Sequence, residues 1–336
     1  MEKAIQMVDL KSQYQRLKPE IDQAIQEVLN SGVFIKGNNV SSFENELSEF
    51  IGGSYVISCA NGTDALQIAM MALDLKPGDE VILPAFTYAA TAEVVALLGL
   101  VPVLVDVDAE TFNIDIKLIE AVIGPKTKAI VPVHLFGQCA EMESLLQIAQ
   151  KHNLYVIEDT AQAIGAYYSF SDGTKRMAGT IGTIGTCSFF PSKNLGCYGD
   201  GGALFTNDSV LAEKIRMIAN HGQKVQYKHD IIGLNSRLDA LQAAILRVKL
   251  KHLKSFEKAR SIVADYYDSN LSKHPNLLVP KRSEFSSHVY HQYTLKLKEG
   301  NRDDLRNQLK SAGIPSMVYY PLPIHFQEAF KNICKM

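Results

Sequence analysis

Short apolar segments alternate strictly with amphipathic segments between residues 55 and 158. The apolar segments are predicted as strands, and the segments with apolar residues at helical spacing are predicted as helices. The strands are residues 55–59, 80–83, 101–106, 128–133 and 154–158, and the helices are residues 64–73, 91–98, 116–123 and 141–152. This alternation predicts an α/β fold with a mostly parallel sheet that helices cover on both faces. Because ligands bind beyond the carboxyl ends of the strands in such sheets, functional residues are expected in the turns that follow the strands.

The segments on either side of this alternation complete the predicted architecture. Helical spacing of apolar residues predicts one helix that ends near Leu29 and a second helix over residues 41–51. Further along, the sequence predicts a long helix over residues 238–271, a strand at 291–297, a helix at 302–309 and a strand at 314–320. The length of 336 residues suits one large domain or two of ordinary size. We therefore expect a large domain over residues 1–250 and a smaller α+β domain over residues 251–336.

The composition argues against several classes of protein. The 34 basic and 36 acidic residues leave a net charge of -2, which does not favour a nucleic-acid partner. The five cysteines are odd in number and never spaced as Cys-x-x-Cys, which favours reduced thiols over disulfides or a zinc site. No apolar run approaches the ~20 residues of a transmembrane helix, and the first residues show no secretory signal. We therefore expect a cytoplasmic protein with no membrane, nucleic-acid or metal partner.

One lysine occupies an unusual position in the sequence. Lys193 lies between two apolar runs, residues 187–190 and 203–206, in a segment that contains four glycines. Desolvation in such a turn disfavours the ammonium form, and a deprotonated lysine is a nucleophile towards carbonyl groups. Taken alone, the segment fits a surface lysine on a hairpin loop equally well.

The turn after residues 55–59 is suited to binding an anion. Gly62 permits a tight bend there, and the first N–H groups of the following helix, together with the Thr63 hydroxyl, suit a phosphate. The alternative is an ordinary helix cap formed by Asn61, Thr63 or Asp64.

Two later turns carry an aromatic pair and a carboxylate. Phe86 and Tyr88 follow the strand at 80–83 and can offer an aromatic face to a flat ligand, although core packing is the alternative. Asp159 and Gln162 follow the strand at 154–158, where a carboxylate needs a partner, and the alternative is a helix N-cap.

Together these features match the requirements of pyridoxal 5′-phosphate (PLP). The phosphate of PLP needs a helix N-terminus, its ring needs an aromatic face, its pyridine nitrogen needs a carboxylate, and its aldehyde needs a lysine. The sequence is predicted to bring all four to one edge of one sheet.

The same motifs, in the same order, resemble the DegT-type nucleotide-sugar aminotransferases, a branch of the fold-type I PLP enzymes. The motifs are Asn61-Gly-Thr-Asp-Ala-Leu66, Phe86-Thr-Tyr88, Glu158-Asp-Thr-Ala-Gln162, Ser188-Phe-Phe-Pro-Ser-Lys193 and Gly233-Leu-Asn-Ser-Arg-Leu-Asp239. The resemblance covers nearly the whole chain. It implies a large domain with a mostly parallel seven-stranded sheet and a smaller C-terminal α+β domain.

The resemblance also implies roles for residues around the cofactor ring. Lys193 would bind the PLP aldehyde covalently and then carry protons between cofactor and substrate. Asp159 would pair with the pyridine nitrogen, Gln162 would contact the region of the ring hydroxyl, and Tyr88 would stack on the ring.

A second set of residues would hold the cofactor phosphate. The resemblance implies that Gly62, Thr63 and Ser188 bind it within one subunit. Asn235 would reach the phosphate of the neighbouring subunit's cofactor, which implies a homodimer with shared active sites.

The resemblance narrows the reaction as well. Relatives with histidine in place of Lys193 dehydrate sugars, so a lysine here indicates transamination, with glutamate as the amino donor. The nearest group in this resemblance is the UDP-2-acetamido-3-keto-glucuronic acid aminotransferases, which serve bacterial surface-polysaccharide pathways such as O-antigen synthesis.

Candidate substrate residues follow from that group. Arg237 would face the sugar carboxylate, where a bidentate guanidinium suits the geometry, and the alternative is a salt bridge to Asp239. Tyr319, Tyr320 and His325 would lie near the sugar or the dimer seam. Because the glucuronate enzymes are expected to carry histidine where Tyr319 stands, the enzymes acting on dTDP-linked keto-deoxysugars remain an alternative.

A PLP-binding sensor or partner subunit with little turnover is a further alternative. Members of the resembled family continue past the Tyr-Pro-Leu-Pro segment at residues 320–323, and this sequence stops at Met336. We expect a shortened small domain to affect that domain more than the cofactor site.

Overall fold

The computed structural model describes residues 5–336, and residues 1–4 lie outside the described part of the chain. Its α-helices are α1 (Leu10–Ser31), α2 (Gly37–Ile51), α3 (Gly62–Ala72), α4 (Ala90–Leu97), α5 (Ile116–Ile119), α6 (Met142–His152), α7 (Ser209–Ile218), α8 (Ala240–Leu271) and α9 (Arg302–Ser311). Its strands are β1 (Tyr55–Cys59), β2 (Glu80–Pro84), β3 (Val101–Val105), β4 (Thr127–Ile130), β5 (Tyr155–Asp159), β6 (Tyr167–Ser169), β7 (Lys175–Met177), β8 (Ile184–Ser188), β9 (Gly202–Thr206), β10 (Gln223–Val225), β11 (Lys228–His229), β12 (Leu277–Leu278) and β13 (Lys296–Leu297).

A seven-stranded sheet with the order β1-β9-β8-β5-β4-β2-β3 forms the centre of the fold. The strands β3, β2, β4, β5 and β8 run parallel, whereas β9 is antiparallel to both β8 and β1. The predicted seven-stranded, mostly parallel sheet is therefore confirmed. Parallel neighbours need a crossover connection, usually a helix, so the alternation in the sequence accounts for the parallel pairing of these strands.

Both faces of the sheet are buried, as the apolar strands require. Along β2, Val81 and Leu83 pack with α3 and α4 on one face, whereas Ile82 packs with α6 on the other. Along β9, Leu204 joins the first core and Phe205 joins a third core with α2 and α8. This period of two explains why the strands are apolar throughout rather than alternating with polar residues.

The long predicted helix is present as α8, which begins two residues later than expected and ends at Leu271. Its first half lies against α1, where Leu17 and Ile21 bury their side chains with Ile245 and Val248. The helix continues across residue 250, so the division into domains 1–250 and 251–336 falls inside one element and stays a prediction. Beyond it, the described chain contains α9 and the short β12–β13 pair.

Of two strands predicted near the C-terminal end, the first is present only in its last two residues and the second was wrong. Within residues 291–297, only Lys296–Leu297 forms a paired strand. The Arg260 side chain binds the His291 carbonyl at 3.2 Å and so occupies an acceptor that a longer strand would use. Residues 314–320 form no strand. That segment includes Pro315, which lacks the N–H that a ladder needs.

Other boundaries moved by a few residues. The strand predicted at 187–190 is β8, which begins at Ile184 and ends at Ser188, because Gly185 and Thr186 pair with neighbouring strands although they are not apolar. The β6–β7 hairpin was not predicted. Within residues 5–336, no helix is long and apolar enough to cross a membrane.

Candidate active site

The ends of three strands meet at one edge of the sheet. Asp159, the last residue of β5, pairs in register with Thr186 of β8. Gly202, the first residue of β9, pairs with Ser188 on one side and with Cys59, the last residue of β1, on the other. The parallel arrangement thus brings together the turns that the sequence marks separately, as expected for the carboxyl edge of a parallel sheet.

Lys193 lies in the connection between β8 and β9, so the predicted position between two buried strands is correct. The connection is held by its own backbone: the Lys193 N–H donates to Phe190 at 2.8 Å, and the Cys197 N–H donates to Phe189 at 2.8 Å. The Phe189 N–H in turn donates to Gly201 at 2.7 Å. These bonds give the lysine a defined backbone position rather than that of a flexible surface loop.

The Lys193 amine lies in a desolvated environment with a carboxylate nearby. Burial lowers the pKa of Lys193 below 10.5, and the opposing charges of Asp159 and Cys187 reduce the shift without reversing it. The Asp159 carboxylate accepts hydrogen bonds from the Thr91 hydroxyl at 2.9 Å and the Ala161 N–H at 3.1 Å. A nucleophilic amine and an oriented carboxylate are therefore close enough for their charges to interact.

The N-terminus of α3 lies against the end of β8 and forms a cradle for an anion. Asn61 caps the helix by accepting from the Asp64 N–H at 2.8 Å. The N–H groups of Gly62 and Thr63 belong to the first turn and have no intrahelical partner. A Cβ added to Gly62 would lie 2.7 Å from the Cβ of Ser188. Only glycine permits this close approach, and the approach places the Ser188 hydroxyl beside the helix N-terminus.

Gln162 and two tyrosines form the opposite side of the site. The Gln162 side chain accepts from the Phe136 N–H at 2.8 Å and donates to the Tyr320 hydroxyl at 3.1 Å, so its amide orientation is fixed. The ring of Tyr320 lies 6.3 Å from that of Tyr88, which is 63% exposed. Tyr88 therefore presents an open aromatic face at the rim of the site.

Tyr319 and His325 lie behind this rim. Tyr319 packs with Tyr320 against the apolar cluster around Phe136. The backbone directly before His325 is held by a hydrogen bond from the Ile324 N–H to the Ala85 carbonyl at 2.9 Å. The His325 Nδ1 is buried without a partner among the described residues.

Arg237 belongs to a separate cleft of about 360 Å³. The cleft is lined in part by Lys36, Asn220, Ser236 and Arg237, and Lys193 lies outside it. The Arg237 Nε and Nη2 donate to the Asn220 side-chain oxygen at 3.2 and 2.9 Å. Within residues 5–336, Arg237 forms no salt bridge, so the expected alternative of a pair with Asp239 is not what the structure shows. Asn235 is exposed beside it.

The sequence model of the DegT/DnrJ/EryC1/StrS aminotransferase family matches residues 15–336. The chain belongs to this family. The predicted family and the predicted aminotransferase class are therefore confirmed, and the protein is an enzyme of the sugar aminotransferase type.

Two of three similar relatives of this DegT-family chain are named for nucleotide-sugar substrates, and the third is named as a regulatory protein. It is 51% identical over 97% of its length to a UDP-2-acetamido-2-deoxy-3-oxo-D-glucuronate aminotransferase from Pseudomonas aeruginosa, 88% of which is covered. It is 48% identical over 98% of its length to a pleiotropic regulatory protein from Geobacillus stearothermophilus, with 87% of that protein covered. It is 45% identical over 98% of its length to a UDP-N-acetyl-3-dehydro-alpha-D-glucosamine 3-aminotransferase from Acidithiobacillus ferrooxidans, 87% of which is covered.

Solved structures agree with the fold. A DegT/DnrJ/EryC1/StrS aminotransferase from Brucella abortus matches 98% of this chain and 88% of its own, with a TM-score of 0.94 and 42% identity. NtdA from Bacillus subtilis, solved with the bound cofactor PMP, matches 92% of this chain and 70% of its own, with a TM-score of 0.84 and 38% identity. The predicted fold class of a fold-type I PLP enzyme is confirmed.

Sequence reasoning missed a buried pair behind Asp159. The Glu158 carboxylate is fully buried and accepts from the N–H groups of Gly179, Ile181 and Gly182 at 2.8, 2.7 and 2.6 Å. His134 accepts from the Ala140 N–H through Nδ1 at 3.0 Å, so its Nε2 carries the proton that it donates to Glu158 at 2.9 Å. Glu158 belongs to the motif at residues 158–162 of this DegT-family chain. A carboxylate in an apolar strand was the signal in the sequence that could have revealed the pair.

A polar network beside Lys193 was also missed. The Asn194 side chain donates to the Val289 carbonyl at 3.1 Å, and its oxygen lies 3.2 Å from Nδ1 of His291. Burial lowers the pKa of His291 well below 6.5, with the charges of Lys193 and Arg260 acting in the same direction. The network joins the C-terminal segment to the lysine loop. Its partners are about 95 residues apart in sequence, so spacing alone could not reveal it.

Proposed function

We propose that this aminotransferase uses PLP to move an amino group from glutamate to the 3-oxo group of a UDP-linked 2-acetamido sugar. The observation that carries the proposal is the desolvated Lys193 amine beside the hydrogen-bonded Asp159 carboxylate, at the sheet edge where α3 presents its N-terminus. The five cysteines are free, which favours a reducing compartment and hence the cytoplasm.

The residues at this edge fit PLP. An anion cradle with no room for a Cβ at Gly62, a carboxylate oriented by two hydrogen bonds and an amine of lowered pKa are complementary to its phosphate, pyridine nitrogen and aldehyde. When bound, PLP supplies an electron sink for the bond cleavage that moves the amine.

The side chains around the cofactor would have separate roles. Gly62, Thr63 and Ser188 would hold the phosphate, and Asp159 would hold a proton at the ring nitrogen. Lys193 would bind the aldehyde carbon and, once displaced by the amino donor, would carry a proton through its Nζ. Its lowered pKa favours the neutral form of the amine, which both steps require.

Gln162 and Tyr320 would align the far side of the ring. Because the Phe136 N–H fixes the Gln162 oxygen, the amide nitrogen points at the Tyr320 hydroxyl and keeps that ring in place. Burial raises the pKa of Tyr320, so its hydroxyl stays protonated and available as a donor. Tyr88, exposed at the rim, would cover the ring from the solvent side.

Arg237 supports a substrate with an acidic group. Its Nε and Nη2 bind a neutral amide oxygen, that of Asn220, and Nη1 has no partner among residues 5–336. A guanidinium without an internal acid is suited to a carboxylate or phosphate from a ligand. A glucuronate would use Arg237 through its carboxylate. Because the glucuronate enzymes are expected to carry histidine where Tyr319 stands, uncharged UDP-linked 3-oxo sugars and dTDP-linked 3-oxo deoxysugars remain alternative substrates.

A homodimer with shared sites would join the Lys193 site of one subunit to the Arg237 cleft of the other. Lys193 does not line the Arg237 cleft, and the exposed apolar residues Val33, Phe34 and Ile35 directly precede Lys36, which does line it. Exposed apolar side chains next to a binding cleft are typical of a surface that a partner covers. A second copy of the chain would bury them and would bring its Arg237 and Asn235 to the Lys193 site.

Mixed dimers test the shared site. Lys193→Ala and Arg237→Ala are each expected to lose most activity. In a hybrid purified through two different tags, one of the two sites receives intact Lys193 and intact Arg237, so about half of the wild-type activity should return. A hybrid that stays inactive would mean that Lys193 and Arg237 act within one subunit. An Arg237→Ala homodimer that keeps full activity would mean that Arg237 is not required.

The substrate is tested by direct comparison. With glutamate as donor, the enzyme should aminate UDP-2-acetamido-3-oxo-glucuronate faster than its uncharged 3-oxo-glucosamine counterpart, and Arg237→Lys should reduce this preference by about tenfold. A faster reaction with the uncharged sugar, or with a dTDP-linked 3-oxo sugar, would assign the alternative. Bound PLP with no turnover on any of the three would support the sensor.

A further inference from the structure

Lys249 is a buried lysine that none of the proposed steps uses. It lies on α8 between Ile245 and Leu253, one helical turn from each, on the face that packs into the core. Its residue is only 1% exposed. A buried ammonium is costly unless it has specific partners, so those partners indicate what it does.

Both partners of Lys249 lie in the connection that carries Lys193. The Lys249 Nζ donates to the Gly196 carbonyl at 2.6 Å. The same Nζ lies 4.1 Å from the centroid of the Tyr198 ring, within the range of a cation–π interaction. The ammonium therefore contacts the chain three and five residues after Lys193.

Gly196 occupies a position where the chain folds back on itself. A Cβ added there would lie 2.4 Å from the carbonyl oxygen of Pro191. Pro191 and Gly196 thus enclose Lys193 in one tight turn. A group that fixes the Gly196 carbonyl consequently fixes the turn from which the Lys193 side chain projects.

A second side chain of α8 supports the same connection. Gln242, seven residues before Lys249 and hence on the same helical face, accepts from the Tyr198 N–H at 2.8 Å. The helix thus holds the connection at two points. Gln242 uses a neutral amide for its contact, whereas Lys249 uses a charge.

The environment of Lys249 disfavours its charged form. Burial lowers the pKa of Lys249 to about 8, and the Cys197 thiol is the one acidic group that opposes the shift. The other titratable group facing it is Tyr198, whose hydroxyl is buried without a partner among the described residues. An apolar side chain of similar length would avoid this cost, so packing alone does not account for a lysine here.

We propose that Lys249 is a positioning residue for Lys193, whose ammonium anchors the Gly196 carbonyl and so fixes the turn that presents the amine to the cofactor. The inference rests on the proposed function of Lys193. It adds a residue of α8 to the site without placing it in contact with cofactor or substrate.

The test compares Lys249→Met with Lys251→Met, which removes an exposed lysine from the same helix. Hydrogen exchange is measured on the protein without PLP, for the amides of Phe189, Lys193 and Cys197. The Lys249→Met variant should exchange these amides at least about tenfold faster while the amides of α8 stay protected. The control should match the wild type.

Kinetics provide a second reading. Lys249→Met should lower kcat about tenfold with little change in the KM for the sugar, because the amine is misplaced while the substrate groups are intact. Lys249→Arg, which keeps the charge, should recover part of the loss. Unchanged exchange and unchanged kcat in a folded Lys249→Met variant would overturn the inference.

A milder variant covers the case in which Lys249→Met does not fold. Tyr198→Leu removes the aromatic face but leaves Lys249 and its hydrogen bond, so it should raise exchange in the connection by a smaller factor. No change in that variant would also count against the inference. Because exchange is measured without cofactor or substrate, the result stands even if the proposed sugar is wrong.

Discussion

At the scale of single residues, the site depends on the balance between burial and charge at Lys193. Burial lowers the pKa of Lys193, and the Asp159 carboxylate acts in the opposite direction. Asp159 thus has two effects. It would keep a proton at the cofactor nitrogen, and it limits how far the lysine is deprotonated in the protein without cofactor.

The Asp159→Asn variant tests both effects of Asp159 together. Asp159→Asn removes the charge that raises the pKa of Lys193, so the amine should titrate at a lower pH, while amino transfer should fall by about 10²–10³-fold. The titration is read by competitive labelling of Lys193 in the protein without PLP.

Asp200→Asn is the matched control for this experiment, because Asp200 is an exposed acid in the same connection. It should leave the titration of Lys193 and the rate unchanged. If Asp159→Asn raised the pKa of Lys193 or left the rate intact, the account of this pair would be wrong.

At the scale of elements, the strand and helix pattern was predictable where the chain buries both faces of a sheet. The short apolar runs of β2 and β9 and the helical spacing of apolar residues in α6 follow from burial, and the sequence displays both. The strand predicted at 314–320 was wrong: Pro315 lacks the N–H that a ladder needs, and no strand of residues 5–336 pairs with this segment.

The residues of the site, like the elements, were predictable only where the local sequence carries a signal. Gly62, Asp159 and Lys193 were predictable because their residue types are unusual directly after apolar strands. Lys249 was open to prediction, since it replaces an apolar residue on the buried face that Ile245 and Leu253 mark, but its partner at Gly196 was not. Contacts between distant segments depend on packing that no local pattern contains.

Glu158, at the end of β5, provides a prediction at this scale. Burial raises the pKa of its carboxyl, but hydrogen bonds from His134 and from backbone N–H groups outweigh burial and lower it below 4.5. Glu158→Gln places an amide nitrogen against N–H donors, which should cost about 3–5 kcal/mol in the free energy of unfolding at pH 7.

The dependence on pH follows from the direction of that shift. A carboxylate with a lowered folded-state pKa stabilises the protein fully above the unfolded value, near 4.5, and loses this contribution as the pH falls below it. The cost of Glu158→Gln should therefore shrink below pH 4.5 in denaturant titrations. A cost that is the same at about pH 4 and about pH 7 would exclude this charge effect.

At the scale of the whole molecule, the proposed site has two parts, the sheet edge around Lys193 and the Arg237 cleft, which Lys193 does not line. The sheet edge provides the lysine, the carboxylate and the anion cradle. The Arg237 cleft provides a guanidinium without an acidic partner among residues 5–336, beside exposed apolar residues. A second copy of the chain is the proposed element that joins them.

The apolar residues beside the cleft give a prediction for the assembly. Phe34 is 46% exposed, and Phe34→Asp would place a charge in the proposed interface, which should shift the protein from dimer to monomer in sedimentation and reduce activity at least about tenfold. Leu97→Asp, at an exposed apolar residue of α4, should change neither. A monomeric wild type, or a Phe34→Asp variant that stays an active dimer, would contradict the shared site.

The most direct test of the central claim is the absorbance spectrum of the purified protein with PLP, before and after glutamate, followed by borohydride reduction and peptide mapping. The account predicts a yellow protein that loses its colour with glutamate and releases 2-oxoglutarate, and a reduced PLP label on Lys193. A protein that binds no PLP, or that carries the label on another lysine, would contradict it.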